Sequence, residues 1–457
     1  MQQTNTSNRV LYATFAIIVL ICALGNFSQT VANGMLLVMG DELGFTAATG
    51  QWLATIYMLI MGITVPAVAF LGKRFSMRQI TAAAVILFFA GCALDFVANS
   101  LWLLVVGRVL QAISCGITLP LVQTFPAMRF PAGQKATALG IAGIAMGFAP
   151  NIGPVLGGAA AESVGWRFVF IVMAVICVVL LVCTLLFTAK EEPTDRSATL
   201  DAWSLVLSTL GFGGLLLGIS NASSFGLTNP SIWITMLAGV VFIFAFLVRQ
   251  KRVEKPLINL GIFKSARFNW TFAVQCTMLV SYMGITLIAP LYWQNACGGT
   301  AVDAGVIFIP ATILALILNP LAGFLTDKLG ARPVALFGGI SMTIGAVGMC
   351  FVSENSSLAF VTLCQTLRGA GMSCLIGPTM AYGLSELRAL TPDGSSFLAL
   401  VRQACASLGT AIMMLIVTIA GTAATAEAFP YQAAFVFSAV FVVIMLVCII
   451  AGIKKSE

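Results

Sequence analysis

The chain has 457 residues, of which 60% are hydrophobic and only 9% charged, and it contains no histidine. Soluble domains carry about 25% charged residues, so most of this surface meets something other than water and an ordinary soluble protein is excluded. The net charge of +7 does not mark a nucleic-acid binder, because the basic residues sit in short clusters between long apolar runs.

A helix crosses the hydrocarbon layer in about 20 apolar residues. Only helices or closed barrels satisfy their backbone groups there, and these runs lack the alternation of a barrel strand. Fourteen helical spans are therefore predicted. The first, near 10–35, follows a short polar leader, serves as its own targeting signal, and holds Asn26, Gln29 and Asn33. The second and third, near 48–71 and 78–97, flank the loop AFLGKRFSMR at 69–78. The fourth, near 100–124, contains Arg108 and Gln123, and the fifth, near 135–161, contains GFAPNIGPVLGG at 147–158. The sixth runs near 168–188, and a charged, turn-rich stretch at 190–201 follows it. Spans near 202–220 and 230–249 come next, then a second basic stretch at 249–267. Six more lie near 268–292, 303–325, 333–353, 357–384, 396–420 and 430–453. They bring Gln275, Tyr282, Arg368, Tyr382 and Arg402 into the membrane.

The division is six spans, two spans, six spans, with boundaries at 1–190, 191–260 and 261–457. An internal repeat supports it. The loop GFLTDKLGAR at 323–332 begins 254 residues after its counterpart, and Arg368 lies 260 residues after Arg108. Paired six-helix repeats around a central cavity are a transporter architecture. If the N-terminus is cytoplasmic, 19 of the 23 basic residues fall on that side, and only Arg167 falls outside. Asp41, Glu42, Asp95, Glu162, Asp303, Glu354 and Glu427 then occupy outer loops and outer helix ends. The split obeys the positive-inside rule and places both termini in the cytoplasm. The 12 cysteines show no metal-like spacing and are read as packing residues.

Span five carries the most specific signal. Pro150 and Pro154, one turn apart, free backbone carbonyls and make the helix bendable. Gly143, Gly147, Gly153, Gly157 and Gly158 let a neighbouring helix approach closely. A hinge and a plain packing face both fit. The segment resembles the antiporter signature of drug-exporting members of the major facilitator superfamily. QWLATIY at 51–57, WRFVF at 166–170, EKPLINL at 254–260, PLYWQ at 290–294, Arg402-Gln403 and Gly409-Thr410-Ala411 are similar to the fourteen-helix drug–proton antiporter branch. Within it, AFLGKRFSMRQI most resembles the lincomycin-resistance-like exporters.

That resemblance implies an all-α integral membrane protein with two parallel six-helix bundles and two extra helices between them. It implies a hinge in span five and gating loops built on Arg74, Arg78, Asp327 and Arg332. Asp327 would accept hydrogen bonds at the start of span eleven, and Arg332 would pair across the bundles. The first loop copy departs from the pattern, with Ala69, Lys73 and Ser76 in place of Gly, Asp and Gly. Arg108 would face the cavity and couple protons to substrate.

Relatives often carry an acid in span one, where this chain has Ser28. With no carboxylate expected at mid-membrane depth and Asp327 assigned to the gate, Glu162 and Asp201 are the remaining carriers. Buried charges default to function and carriers need a pKa that can swing. Asn26, Gln29, Asn33, Gln123, Gln275, Tyr282 and Tyr382 are candidate cavity residues among apolar walls. The expected partners are a small-molecule substrate, protons and the lipid bilayer, with no nucleic acid, no cofactor and a monomeric state. A bacterial plasma membrane is the expected location. No Walker-type loop points to ATP. The alternatives are a transporter of one metabolite on the same fold, or a non-transporting sensor.

Overall fold

The computed structural model describes residues 8–45, 47–50, 52–188, 201–225, 229–253, 256–299, 301–423 and 427–453. Among these residues there are seventeen α-helices and no strand. They are α1 (Asn8–Leu43), α2 (Ala47–Gly50), α3 (Trp52–Thr64), α4 (Ala67–Arg74), α5 (Met77–Phe96), α6 (Leu101–Arg129), α7 (Lys135–Ser163), α8 (Trp166–Phe187) and α9 (Ala202–Phe225). Then follow α10 (Pro230–Arg252), α11 (Ala266–Asn295), α12 (Ala301–Val306), α13 (Ile309–Leu329), α14 (Ala331–Met349), α15 (Leu358–Leu384), α16 (Thr391–Ala423) and α17 (Phe429–Gly452).

Local chemistry sets the breaks. Pro66 separates α3 from α4, which meet at 52°. A proline removes a helical donor and crowds the preceding turn. Ser76 and Gln79 form a reciprocal capping box that starts α5. Gly330, at φ 86°, turns the chain sharply from α13 into α14, a conformation glycine adopts without a steric cost.

Among the described residues eleven helices are long and apolar enough to cross a membrane, or twelve with the bent α3–α4 pair as one span. The helices α7 and α9 run for 29 and 24 residues, and their described apolar stretches are Lys135–Ala149 and Trp203–Leu215. Each of the fourteen sequence spans falls on helical residues, the second divided over α2, α3 and α4 and the tenth over α12 and α13. Large apolar side chains such as Val175, Val179 and Leu186 on α8 and Phe337 and Ile344 on α14 point outward. In a bilayer they meet lipid.

The helices α1, α3 and α5–α8 pack together, and α11 and α13–α17 form a second group. The pair α9–α10 lies beside them, against α3 and α16. The groups meet where α7 crosses α13 and α15, and where α6 touches α16. One apolar cluster around Val31, Phe88 and Trp166 belongs wholly to the first group, and another around Tyr292, Met349 and Phe435 wholly to the second. The clusters shared by both groups, around Phe125 and Leu400 and around Leu139, Phe268 and Leu398, lie toward one end. That end also carries Lys73, Arg74, Arg129, Lys135, Lys328 and Arg332, and is called the basic face below.

Candidate functional site: a central cavity and its gates

A cavity of about 340 Å³ lies between the two helix groups. Asn26, Gln29 and Thr30 of α1, Gln123 of α6, and Gly143 and Gly147 of α7 line one side. Tyr282 of α11, Asn319 of α13, and Arg402 and Gln403 of α16 line the other. Met58, Met61, Met146, Met283 and Met372 complete the wall. Thioether side chains are flexible and polarisable, so such a wall adapts to differently shaped apolar ligands.

Four of the expected cavity residues, Asn26, Gln29, Gln123 and Tyr282, are brought together here. Gln275 and Tyr382 are not. Gln275 donates to the Thr379 hydroxyl at 2.7 Å, and Tyr382 donates to the Gly452 carbonyl at 3.1 Å. Each side chain bonds across a helix–helix seam instead, as polar residues in membrane bundles do. The side chain of Asn33 lies outside the described residues.

The α7 glycines serve two different seams. A Cβ at Gly140 or Gly143 would meet Asn319 of α13, in the opposite group. A Cβ at Gly153 or Gly157 would instead meet α1 at Thr30, Phe27 and Val31, within the same group. Gly147 borders open space and lines the cavity, and Gly158 is in ordinary contact range of Gly34. The helix continues through Pro150 and Pro154, whose side chains lie outside the described residues. Gly153 and Gly157 of the signature thus pack within one group, and Gly140 and Gly143, which precede it, make the cross-group contact.

Replacing Gly140 with leucine should force α7 from α13. Overpacking costs about 1–3 kcal/mol, enough to move a two-state balance roughly 5- to 150-fold. Transport in vesicles, normalised to inserted protein, should fall at least about tenfold. A rate within twofold of wild type would show that this seam does not govern the cycle.

At the basic face, Asp327 accepts from the Ala136 and Thr137 amides at 3.0 and 2.8 Å and from the Thr137 hydroxyl at 2.6 Å. A carboxylate there satisfies orphan donors and complements the helix dipole of α7. The expectation had placed these bonds at the start of span eleven, α14. The carboxylate reaches the opposite group instead, because Gly323, with no side chain, lets Ala136 and Thr137 approach α13. Arg332 makes no ion pair or hydrogen bond among the described residues, so the expected pairing across the groups is absent. Arg78 donates to the Leu185 carbonyl of α8 at 2.5 Å, tying α5 to α8 within its own group. Arg74 is exposed in the last turn of α4.

The divergent first loop has its own arrangement. Lys73, where relatives have an acid, acts electrostatically on Asp393, in the first turn of α16. Asp393 also accepts from the Asn259 amide at 3.0 Å. The charges are reversed relative to the Asp327 contact, with the acid on the partner helix. Nearby, the hydroxyls of Thr124 on α6 and Ser395 on α16 are hydrogen-bonded to each other.

Arg108 does not face the cavity. It is 1% exposed and sits behind α1, donating to Ser28 Oγ and Ser28 O at 2.7 Å each and to Gln111 Oε1 at 3.0 Å. Its guanidinium lies 4.5 Å from the Tyr57 ring centroid, and Tyr57 donates to the Gly25 carbonyl. Gln111 continues the chain, donating from Nε2 to Asp95 Oδ2 at 2.8 Å. Asp95 occupies the last turn of α5, as expected, but turns inward and is wholly buried, and its Oδ1 has no partner. Gly107 leaves the room, since a Cβ there would collide with that carboxylate. In the second group Arg368 similarly donates to Ser281, with no carboxylate linked to it.

Neither acid considered as a carrier joins this network. Glu162 is exposed at the end of α7. Asp201 pairs with Arg249 at 2.9 Å and with Ser204 at the start of α9. Burial opposes its ionisation most strongly of any one cause, but the hydrogen bonds from Arg249 and Ser204 and the Arg249 charge together outweigh that and hold its carboxyl below the usual value. Arg167, the lone basic exception outside, is ion-paired to Glu42 and donates to the Ala98 carbonyl at 2.8 Å. The sequence did hold a signal for Asp95: a carboxylate inside a predicted span, followed in the next span by an Arg and a Gln one turn apart.

The comparisons with known proteins agree with this geometry. The Major Facilitator Superfamily profile matches residues 15–410. The chain is 34% identical over 398 residues to the uncharacterized MFS-type transporter YhcA of Bacillus subtilis, covering 86% of this chain and 74% of that one. It is 30% identical over 396 residues to the lincomycin resistance protein LmrB of the same organism, covering 86% and 82%. Among solved structures, the proton:xylose symporter XylE superposes with a TM-score of 0.63 at 16% identity, covering 96% of each chain. This multi-pass membrane protein belongs to the major facilitator superfamily, on the drug-exporter branch that holds the lincomycin-resistance proteins.

Proposed function

We propose that the protein exports lipophilic or amphipathic small molecules across a bacterial plasma membrane in exchange for protons. The observation that carries this reading is the methionine-walled cavity between two helix groups, with Asp327 bonded across the groups at the basic face. Residues 1–190 and 261–457 act as the two rocking bundles, and 191–260 adds α9 and α10. Positive charge argues for the basic face as the cytoplasmic one, with both termini there and the Asp327 contact as a closed cytoplasmic gate. Alternating access then requires the Asp327 contacts to break and Lys73 to move away from Asp393. The name of the lincomycin-resistance relative supports drugs as cargo.

Proton coupling needs an acid that changes protonation as the bundles move. Asp95 is placed for it, because Ser28 and Gln29 of the cavity helix hold Arg108, and Gln111 links Arg108 to the carboxylate. Inverted vesicles from an efflux-deficient bacterium expressing the chain should accumulate a neutral amphipathic dye when acidified inside. A protonophore should collapse the accumulation. Accumulation unaffected by the protonophore would remove proton exchange, and no accumulation of any amphipathic compound would remove the exporter reading.

A further inference from the structure

Arg402 differs from the other two membrane-embedded arginines. Arg108 and Arg368 are held by serines behind the cavity wall, whereas Arg402 is itself part of the wall. Its Nη1 is buried and unpartnered, as is Nη1 of Arg368, but among the described residues no ion pair or hydrogen bond engages any other atom of the Arg402 side chain. Among the described residues it is the only charged one in the cavity lining, which holds no Asp or Glu there. The carboxylates named above lie elsewhere: Asp95 behind Arg108, Asp327 and Asp393 at the basic face. A fixed cation in a low-dielectric cleft, with no acid facing it, attracts anions and repels cations. A buried ionic donor left unpaired is costly, and a ligand that supplies the missing acceptor removes that cost.

We propose that the cavity takes amphipathic organic anions, with a carboxylate, sulfonate or phosphate-ester group against the Arg402 guanidinium. The planar fork of the guanidinium matches such groups in two parallel hydrogen bonds. The ring or alkyl body of the ligand lies against Met146, Met283 and Met372, and Gln403 adds a neutral polar contact. A single fixed charge beside an adaptable apolar wall selects for one ionic group while leaving the body variable. The proposal rests on the exporter reading and narrows it to one charge class.

The test uses purified full-length protein in proteoliposomes with an imposed pH gradient. The probes are 8-anilinonaphthalene-1-sulfonate and N-phenyl-1-naphthylamine, the same ring system without the sulfonate. For wild type, kcat/KM for the sulfonate should exceed that for the neutral probe by about tenfold, the scale of one charge-assisted hydrogen bond. Arg402→Gln should bring that ratio down about tenfold, and Arg402→Lys should restore part of it. A ratio that does not change in Arg402→Gln overturns the assignment. A second measurement needs no variant: the sulfonate should inhibit wild-type transport of the neutral probe at lower concentration than tetraphenylphosphonium. Equal or stronger inhibition by the cation overturns the proposal. Transport of the neutral probe with none of the sulfonate removes the anion site alone. Transport of neither probe removes the exporter reading beneath it.

Discussion

Replacing Asp95 by asparagine is expected to abolish gradient-driven accumulation while leaving the protein folded in the membrane. Asparagine keeps the shape and can still bond Gln111, but it cannot carry a proton. The charged and titratable groups around Asp95 are few: Cys92 on its own helix, Arg108 on α6, Tyr57 of α3 beyond it, and Cys177 of α8 beside Cys92. Arg167, at the start of α8, reaches only the Ala98 carbonyl beyond the end of α5. Arg108 is the one cation among them, and Gln111 bridges it to the carboxylate and supports it. Movement of α1 on substrate entry would shift Ser28 and Gln29, which hold Arg108, and so change that support.

One pH unit of gradient corresponds to about 1.4 kcal/mol, a roughly tenfold accumulation for one exchanged proton. In vesicles with that gradient, Asp95→Asn should equilibrate the substrate without concentrating it. Substrate–substrate exchange should continue, because the cavity residues are untouched. Glu162→Gln should accumulate substrate as wild type does, since Glu162 is solvent-exposed at a helix end. Tenfold accumulation by Asp95→Asn would show that the proton travels elsewhere.

The second large effect is conformational. Asp327→Ala removes the acceptor for two backbone amides and a hydroxyl at the start of α7. Hydrogen bonds to a charged group are worth about 1.5–3 kcal/mol each, and the freed amides regain water once the gate opens. A net loss of about 2 kcal/mol moves the balance roughly 30-fold toward opening at the basic face. Leu398, in the apolar cluster around Leu139 and Phe268, is 1% exposed in this state, does not line the cavity, and reports on that opening. In a background without native cysteines, Leu398→Cys should react with a water-soluble maleimide about 30-fold faster when Asp327→Ala is present. An unchanged labelling rate would show that the apolar clusters hold the gate by themselves.

Much of this molecule follows from sequence by local physics. A backbone in lipid must bond to itself, so about 20 apolar residues without charge can hardly be anything but a helix. The positions of the fourteen spans, the repeat relating Arg108 to Arg368, and the clustering of basic residues at one face therefore needed no coordinates. The family was legible for a related reason, since its motifs are contiguous segments set by helix ends and close backbone approaches.

The direction in which each polar side chain points was decided only by tertiary structure. In a soluble helix the polar stripe marks the outside, but here the lipid-facing and buried sides are both apolar and the stripe vanishes. Gln123 and Gln275 are indistinguishable in such a pattern, yet one lines the cavity and the other bonds Thr379. Asp95 and Glu162 both read as outer-end acids, yet one is wholly buried beside Gln111 and the other is exposed. The partner of Asp327 lies 190 residues away along the chain, brought close because Gly323 has no side chain. Sequence set where the charges enter the membrane, and packing between helices distant in the chain set which of them meet.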